Sequence, residues 1–213
     1  MDVDGTLIQQ EGIDLLAQEA GVGQKVAEIT AQAMNGELDF KASLQARVAL
    51  LKGLEASIFP KIVEQMDVTP GAKILITELH QRGYKVGLVS GGFHEVIDPI
   101  AKSLGIDLVR ANRLQTFDGR LTGKVLGEIV TPERKKDSLL TLARENHIPR
   151  SQTIAMGDGA NDLPMIETAG IGIAFMAKPI VAERAPYRIE TRDLNLVLEI
   201  LDQHRKETAC ISY

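Results

Sequence analysis

The chain has a single cysteine, Cys210, among its 213 residues. An internal disulfide is therefore excluded, which agrees with a reducing compartment. No apolar run approaches the ~20 residues needed to cross a bilayer, and the N-terminus lacks the charged, apolar and small-residue order of a secretory leader. The cytoplasm is the expected location. Positive charge is not in surplus either: 24 Lys and Arg face 29 Asp and Glu, a net charge of −5. Such a balance gives no general attraction to nucleic acid or to an anionic membrane, so neither is expected as a partner. Internal repeats, low-complexity segments and nucleic-acid motifs are missing as well. The closing Cys210-Ile211-Ser212-Tyr213 has the outline of a prenylation box, but Ser and Tyr fit that box badly, and it reads as a frayed tail.

What is present is ordinary for a globular protein: 44% apolar and 25% charged residues, in a length that suits one large domain or a core with a smaller insertion. From Glu11 to Met66 the apolar spacing is helical, with no convincing strand. Ile13, Leu16, Ala17 and Ala20 form one stripe and Val26, Ile29 and Ala33 a second. Leu44, Val48 and Leu51 follow a capping Asp39, and Ile58, Ile62, Val63 and Met66 suggest a fourth helix with Pro60 near its start. Four short helices between one strand and the next are expected to form a lid.

After Met66, helix and strand alternate. A helix from Thr69-Pro70 stops at Gly83, a buried strand over 84–89 runs into Ser90-Gly91-Gly92, and a helix over 93–104 is bent at Pro99. A strand opens at Leu108-Val109, and a separate small hairpin over 113–125 turns at Asp118-Gly119. A helix over 133–146 should bury Leu139, Leu140 and Leu142; strands over 153–156 and 171–175 flank a helix over 162–168, and an amphipathic helix over 194–201 ends the pattern. This predicts an α/β fold with a doubly wound, mainly parallel sheet and ligands at the carboxyl ends of its strands. The expected division is a core of residues 1–10 and 67–206, a helical cap of 11–66 and a tail of 207–213.

Two acidic clusters stand out against that frame, Asp2-Val3-Asp4-Gly5-Thr6 and Gly157-Asp158-Gly159-Ala160-Asn161-Asp162. Asp2 and Asp4 share one face of a period-2 element, Gly5 lets the chain bend away, and Thr6 is expected to hydrogen-bond whatever occupies the mouth. Acids this close repel unless a cation lies between them. A third carboxylate from Asp158 would complete an all-oxygen site suited to Mg²⁺. The bland alternative is an Asp-Gly turn with a solvated rim; a calcium loop is disfavoured because Ile13 and Asp14 do not supply its closing glutamate.

Collected at strand ends, Asp2 and Asp4, Ser90-Gly91-Gly92, Lys135, and Asp158 with Asn161 and Asp162 resemble in order and context the haloacid-dehalogenase superfamily of phosphohydrolases, and within it the phosphoserine phosphatase family. The similarity runs from Asp2 to about Arg184. It implies a Rossmann-like core with a small inserted helical cap, and Mg²⁺-dependent hydrolysis of phosphoserine, the last step of serine biosynthesis. By the same resemblance Asp2 is the nucleophile that becomes an aspartyl-phosphate, and Asp4 the general acid and base. Mg²⁺ is held by a carboxylate oxygen of Asp2, the backbone carbonyl of Asp4 and Asp158, with Asp162 behind them. Ser90, Gly91, Lys135 and Asn161 are the donors to the phosphoryl oxygens. Lys135 is preferred to Lys136, since the family's Lys-x-acid falls on Lys135-Lys136-Asp137. Glu11 resembles the family's ligand for the substrate amino group and Arg47 its carboxylate clamp, with Met34 and Phe40 covering the site.

Two departures bear on these expectations. Gly5 stands where many members have Ser. The first strand of a doubly wound sheet is central, apolar and ~5–6 residues long, yet only Met1 precedes Asp2. Either residues upstream of Met1 are lacking, a regulatory domain among them, or another segment fills the gap. The rival readings are a phosphotransferase or phosphatase for another small phosphomonoester, with homoserine as one acceptor, and a non-catalytic phosphometabolite sensor. The intact Asp2 and Asp4 weigh against the sensor. A homodimer is left open by the sequence.

Overall fold

The computed structural model describes residues 1–35, 37–106 and 108–211. Helices α1 (Gly12–Glu19), α2 (Gly23–Met34), α3 (Phe40–Ala49) and α4 (Phe59–Glu64) fill the segment expected to be helical. Asp39 caps α3 by accepting the Ala42 amide at 2.7 Å. There follow α5 (Ala72–Gln81), β1 (Gly87–Phe93), α6 (His94–Ser103), β2 (Leu108–Phe117), β3 (Arg120–Leu126), α7 (Pro132–Glu145), β4 (Ile154–Gly157), α8 (Leu163–Thr168), β5 (Ile171–Phe175), α9 (Pro179–Arg184), β6 (Tyr187–Ile189) and α10 (Leu196–Ile211). Helices thus alternate with mainly parallel strands, the α/β class read from the sequence: β1 runs parallel to β2, and β4, β5 and β6 run parallel to one another. β3 returns antiparallel to β2 across the Asp118-Gly119 turn, where both residues have positive φ.

The two three-stranded sheets, β1-β2-β3 and β4-β5-β6, are joined by the first residues of the chain. The Val89 amide donates to the Met1 carbonyl at 2.9 Å and the Asp2 amide to the Met156 carbonyl at 3.0 Å. The Met1 ammonium donates to the Gly87 carbonyl at 2.7 Å, as a peptide N–H would in a strand. Residues 1–3 therefore lie in the central lane between β1 and β4, and Val3 is fully buried. Behind the Met1 nitrogen this lane continues as an apolar groove of about 880 Å³, lined among others by Leu79, Val86, Leu139, Leu142, Ile148 and Leu201. No other segment among the described residues takes that place.

Hydrogen bonds tie the helical segment to the rest at its root and at its far side. At its root the Gln9 amide donates to the Asp67 carbonyl, and the Gln10 side chain donates to the Asp67 carboxylate at 2.8 Å and accepts the Asp67 amide at 2.9 Å. At its far side it meets the tip of the β2–β3 hairpin. Gly53 donates to Leu121, Leu121 to Leu54 and Ala56 to Gly119, each at 2.8 Å through the main chain. Arg120 adds a bond to the Gly53 carbonyl and one to Glu55.

Some local expectations change. The first core strand begins at Gly87 rather than at residue 84, because residues 82–85 border the groove instead of a partner strand. The strand expected at Leu108 and the hairpin arm expected from Arg113 are one strand, β2. Leu140 faces solvent, while Leu139 and Leu142 line the groove. Thr6 is fully buried, and its hydroxyl has no hydrogen-bond partner among the described residues; it does not reach the mouth.

Candidate active site

Asp2 and Asp4 lie where the central lane ends and the chain bends at Gly5. Gly5 has φ +73°, and a Cβ placed there would fall 2.8 Å from Asp158 Oδ2. Glycine is thus the residue that both the turn and the approach of the second acidic cluster require, which gives a physical reason for the departure at this position. Opposite, Asp158 follows β4, and a main-chain bond from Lys178 to its carbonyl at 3.0 Å ties it to the end of β5.

Lys135 is the hub of the inner wall. Thr131 caps α7 by accepting the Arg134 amide, and the first turn aims Lys135 inward, where it is 1% exposed. Its ammonium donates to Asp2 Oδ1 at 2.5 Å and to Asp162 Oδ1 at 2.7 Å. Burial disfavours the charge, but Asp2 and Asp162 outweigh it and hold the lysine above its ordinary range. Burial, then Asp162, push the Asp2 carboxyl well upward, with Lys135 pulling the other way. Asp158 is raised by burial and by Asp162 as well.

Oxygens of Asp2, Asp158 and Asp162 lie within 4.8 Å of one another. One lysine does not neutralise three such acids. A small hard cation fits this set, being bound by carboxylate oxygens and restoring the ionised forms that burial opposes. Asp162 already accepts from Lys135 through one oxygen and from the Gly159 amide through the other at 3.2 Å. It suits a supporting place behind Asp2 and Asp158.

Asp4 is held at both oxygens. Gly12 donates to Oδ1 and the Ser90 hydroxyl to Oδ2, each at 2.9 Å, while the Gly92 amide donates to Ser90 Oγ at 2.7 Å. Ser90 therefore stands between Asp4 and the Gly91-Gly92 pair within β1. Gly91 borders the cleft beneath Phe40, whose ring would lie 3.1 Å from a Cβ at Gly91.

The cleft between the core and the helical segment, about 100 Å³, is lined by Asp2, Asp4, Glu11, Phe40, Arg47, Gly91, Asp158 and Asn161 of the expected residues. Ser90, Lys135 and Asp162 stand behind this lining. Lys136 has no place in it. The Met34 side chain lies outside the described residues. Glu11 reaches the open cleft; surrounding protein and the carboxylates of Asp4, Asp158 and Asp14 push it up to about 8. Burial lowers Arg47, against the pull of Glu11 and Asp14. Lys178 also lines the cleft and was not singled out in the sequence. Its signal was there, since it lies three residues past the end of a strand, β5, as Asp158 follows the end of β4.

A family model described as haloacid dehalogenase-like hydrolase matches residues 1–167. The phosphoserine phosphatase of Streptococcus thermophilus is 63% identical over 203 residues, 95% of this chain and 94% of that protein. A solved substrate-bound phosphoserine phosphatase complex is 45% identical with a TM-score of 0.88, covering 93% of this chain and 95% of that one. A phospho-aspartyl intermediate analogue of phosphoserine phosphatase matches with the same values.

Proposed function

We infer from the site a phosphoserine phosphatase that works through Asp2, since the chain belongs to the haloacid dehalogenase-like hydrolases and, within them, to the phosphoserine phosphatases. The enzyme is a phosphoric monoester hydrolase that cleaves O-phospho-L-serine to L-serine and phosphate. The observation that carries the assignment of roles is the asymmetry of the two acids. Asp2 is buried on a lysine, whereas Asp4 is half-buried at the cleft and held by a hydroxyl and an amide.

In this reading an Asp2 oxygen attacks phosphorus in line with the serine oxygen, and the P–O bond to serine breaks as the bond to Asp2 forms. Asp4 gives its proton to the departing serine oxygen. It then takes a proton from water, which attacks the aspartyl-phosphate and frees Asp2 and inorganic phosphate. Lys135, the Ser90 hydroxyl, the Gly91 amide and Asn161 supply donors for the phosphoryl oxygens. Mg²⁺, held by Asp2, Asp158 and the Asp4 carbonyl, would supply charge to the phosphoryl group. Arg47 offers a fork for the substrate carboxylate and Glu11 a partner for its ammonium. Phe40, in a lid formed by residues 11–66, shuts out water. The same reading takes the cytoplasm as its location, which the single cysteine supports. Among the described residues no helix is long and apolar enough to cross a membrane.

The test is phosphate release from a panel of phosphorylated amino acids and sugars, with and without Mg²⁺, for the wild type and Asp2→Asn. Mg²⁺-dependent turnover led by phosphoserine and abolished in the variant is expected. Phosphate transfer to an added alcohol such as homoserine in place of hydrolysis, or binding without turnover, would overturn it.

A further inference from the structure

β1 and β2 pair in register from Gly87↔Leu108 to Val89↔Arg110, and the next pair is Phe93↔Asn112. Ser90, Gly91 and Gly92 thus stand opposite a single residue, Ala111, and leave the ladder as a bulge. Their main-chain groups need other partners. Asn112, 1% exposed, supplies one: its Nδ2 donates to the Gly91 carbonyl at 2.7 Å. Its Oδ1 accepts the Val130 amide at 2.9 Å. The partners fix which end of the carboxamide is which, because a carbonyl needs the NH₂ and an N–H needs the oxygen.

Each partner leads into the active site. The Gly91 carbonyl shares a rigid peptide plane with the Gly92 amide, so holding one orients the other. That amide donates to Ser90 Oγ, which donates to Asp4 Oδ2. On the other side Val130 precedes Thr131, which caps α7 and accepts the Lys135 amide at 2.9 Å. A single buried carboxamide therefore links the bulge bearing Ser90 to the start of the helix bearing Lys135.

We propose that Asn112 is a positioning residue for the reaction: it locks the 90–92 bulge against the entry to α7 and so sets the phosphate-facing donors and the Asp4 rotamer. The proposal rests on the roles given to Asp4, Ser90 and Lys135 above. It requires a loss in turnover rather than in binding, because Glu11 and Arg47 lie outside the linkage.

Asn112→Asp keeps the shape and the acceptor toward Val130 but loses the donor toward Gly91. Asn112→Ser is too short to bridge both partners. Wild-type rates on the ester panel are read first, and the comparison is made on whichever ester turns over best, so an error in substrate assignment is seen separately. With Mg²⁺ present, kcat is expected to fall ~30- to 100-fold with KM within about threefold. Ser90→Ala should then cost much less in the Asn112→Asp background than in the wild type. Unchanged kcat with only a lower melting temperature, or full additivity with Ser90→Ala, would overturn the proposal. Failure of both variants to fold would do the same, assigning Asn112 to stability.

Discussion

The two walls of the cleft are built differently. On the core side the carboxylates of Asp2, Asp4 and Asp162 are already bonded, to Lys135, to Ser90 and Gly12, and to Gly159. On the helical side Arg47 has a long 3.4 Å bond to the Ser43 carbonyl. On the roles proposed above, the chemical wall is thus set in advance, where misplacement would cost rate, and the recognition wall is left for the ligand to complete.

The sharpest way to break this comparison is at Asp2. Asp2→Asn should lower kcat at least ~10⁴-fold while the protein remains folded by circular dichroism, because the nucleophile is lost but its shape is kept. Residual turnover within tenfold of wild type would mean that the inner wall is not the reacting one. Lys135→Met comes next. It strands Asp2 and Asp162 in the interior, and urea melts should show a loss of about 3–5 kcal/mol together with collapse of activity.

The α-amine of Met1 probes the same wall from behind. Complete burial lowers it from 8.0 to about 6, despite the pull of Asp2. Between those values the unfolded chain holds the proton and the folded one does not. Stability therefore rises from pH 6 to pH 8 by about 2–3 kcal/mol from this group and is level above that. Glu11, raised to about 8, slopes the opposite way between pH 4.5 and 8. The difference between free and N-acetylated protein isolates the amine, and a pH-independent difference would refute the lowering of its pKa by burial.

The helical wall should give the smallest and most selective effect. Arg47→Ala is expected to reduce kcat/KM for phosphoserine ~10- to 100-fold, yet barely change that for a phosphate ester without a carboxylate. Equal losses on both would erase the distinction between the walls.

The two acidic clusters and the glycines beside them were legible in the sequence, since short-range chain geometry dictates them; that Ser90, Lys135 and Asn161 belong with them was read by resemblance. Lys135 was separable from Lys136 only by resemblance; the structure separates them by burial. Long-range pairings were not legible. Asn112 reads as one more residue of a strand, and its importance comes from a bulge in another strand and a loop beyond a hairpin. Leu140 fits the apolar pattern of α7 but faces water, because at about 100° per residue a side chain two positions from Leu142 lies on nearly the opposite side of the helix from it. The late start of β1 likewise depends on what lies beside it in space.

The main-chain bonds between Gly53–Ala56 and the hairpin tip mean that the helical segment does not swing like a door on one hinge. It is moored on a second side. If it opens as the proposed lid, it would either part that mooring or haul the hairpin along, and the hairpin is the continuation of the strand that carries Asn112. Traffic at the entrance would thereby be geared to the floor of the site.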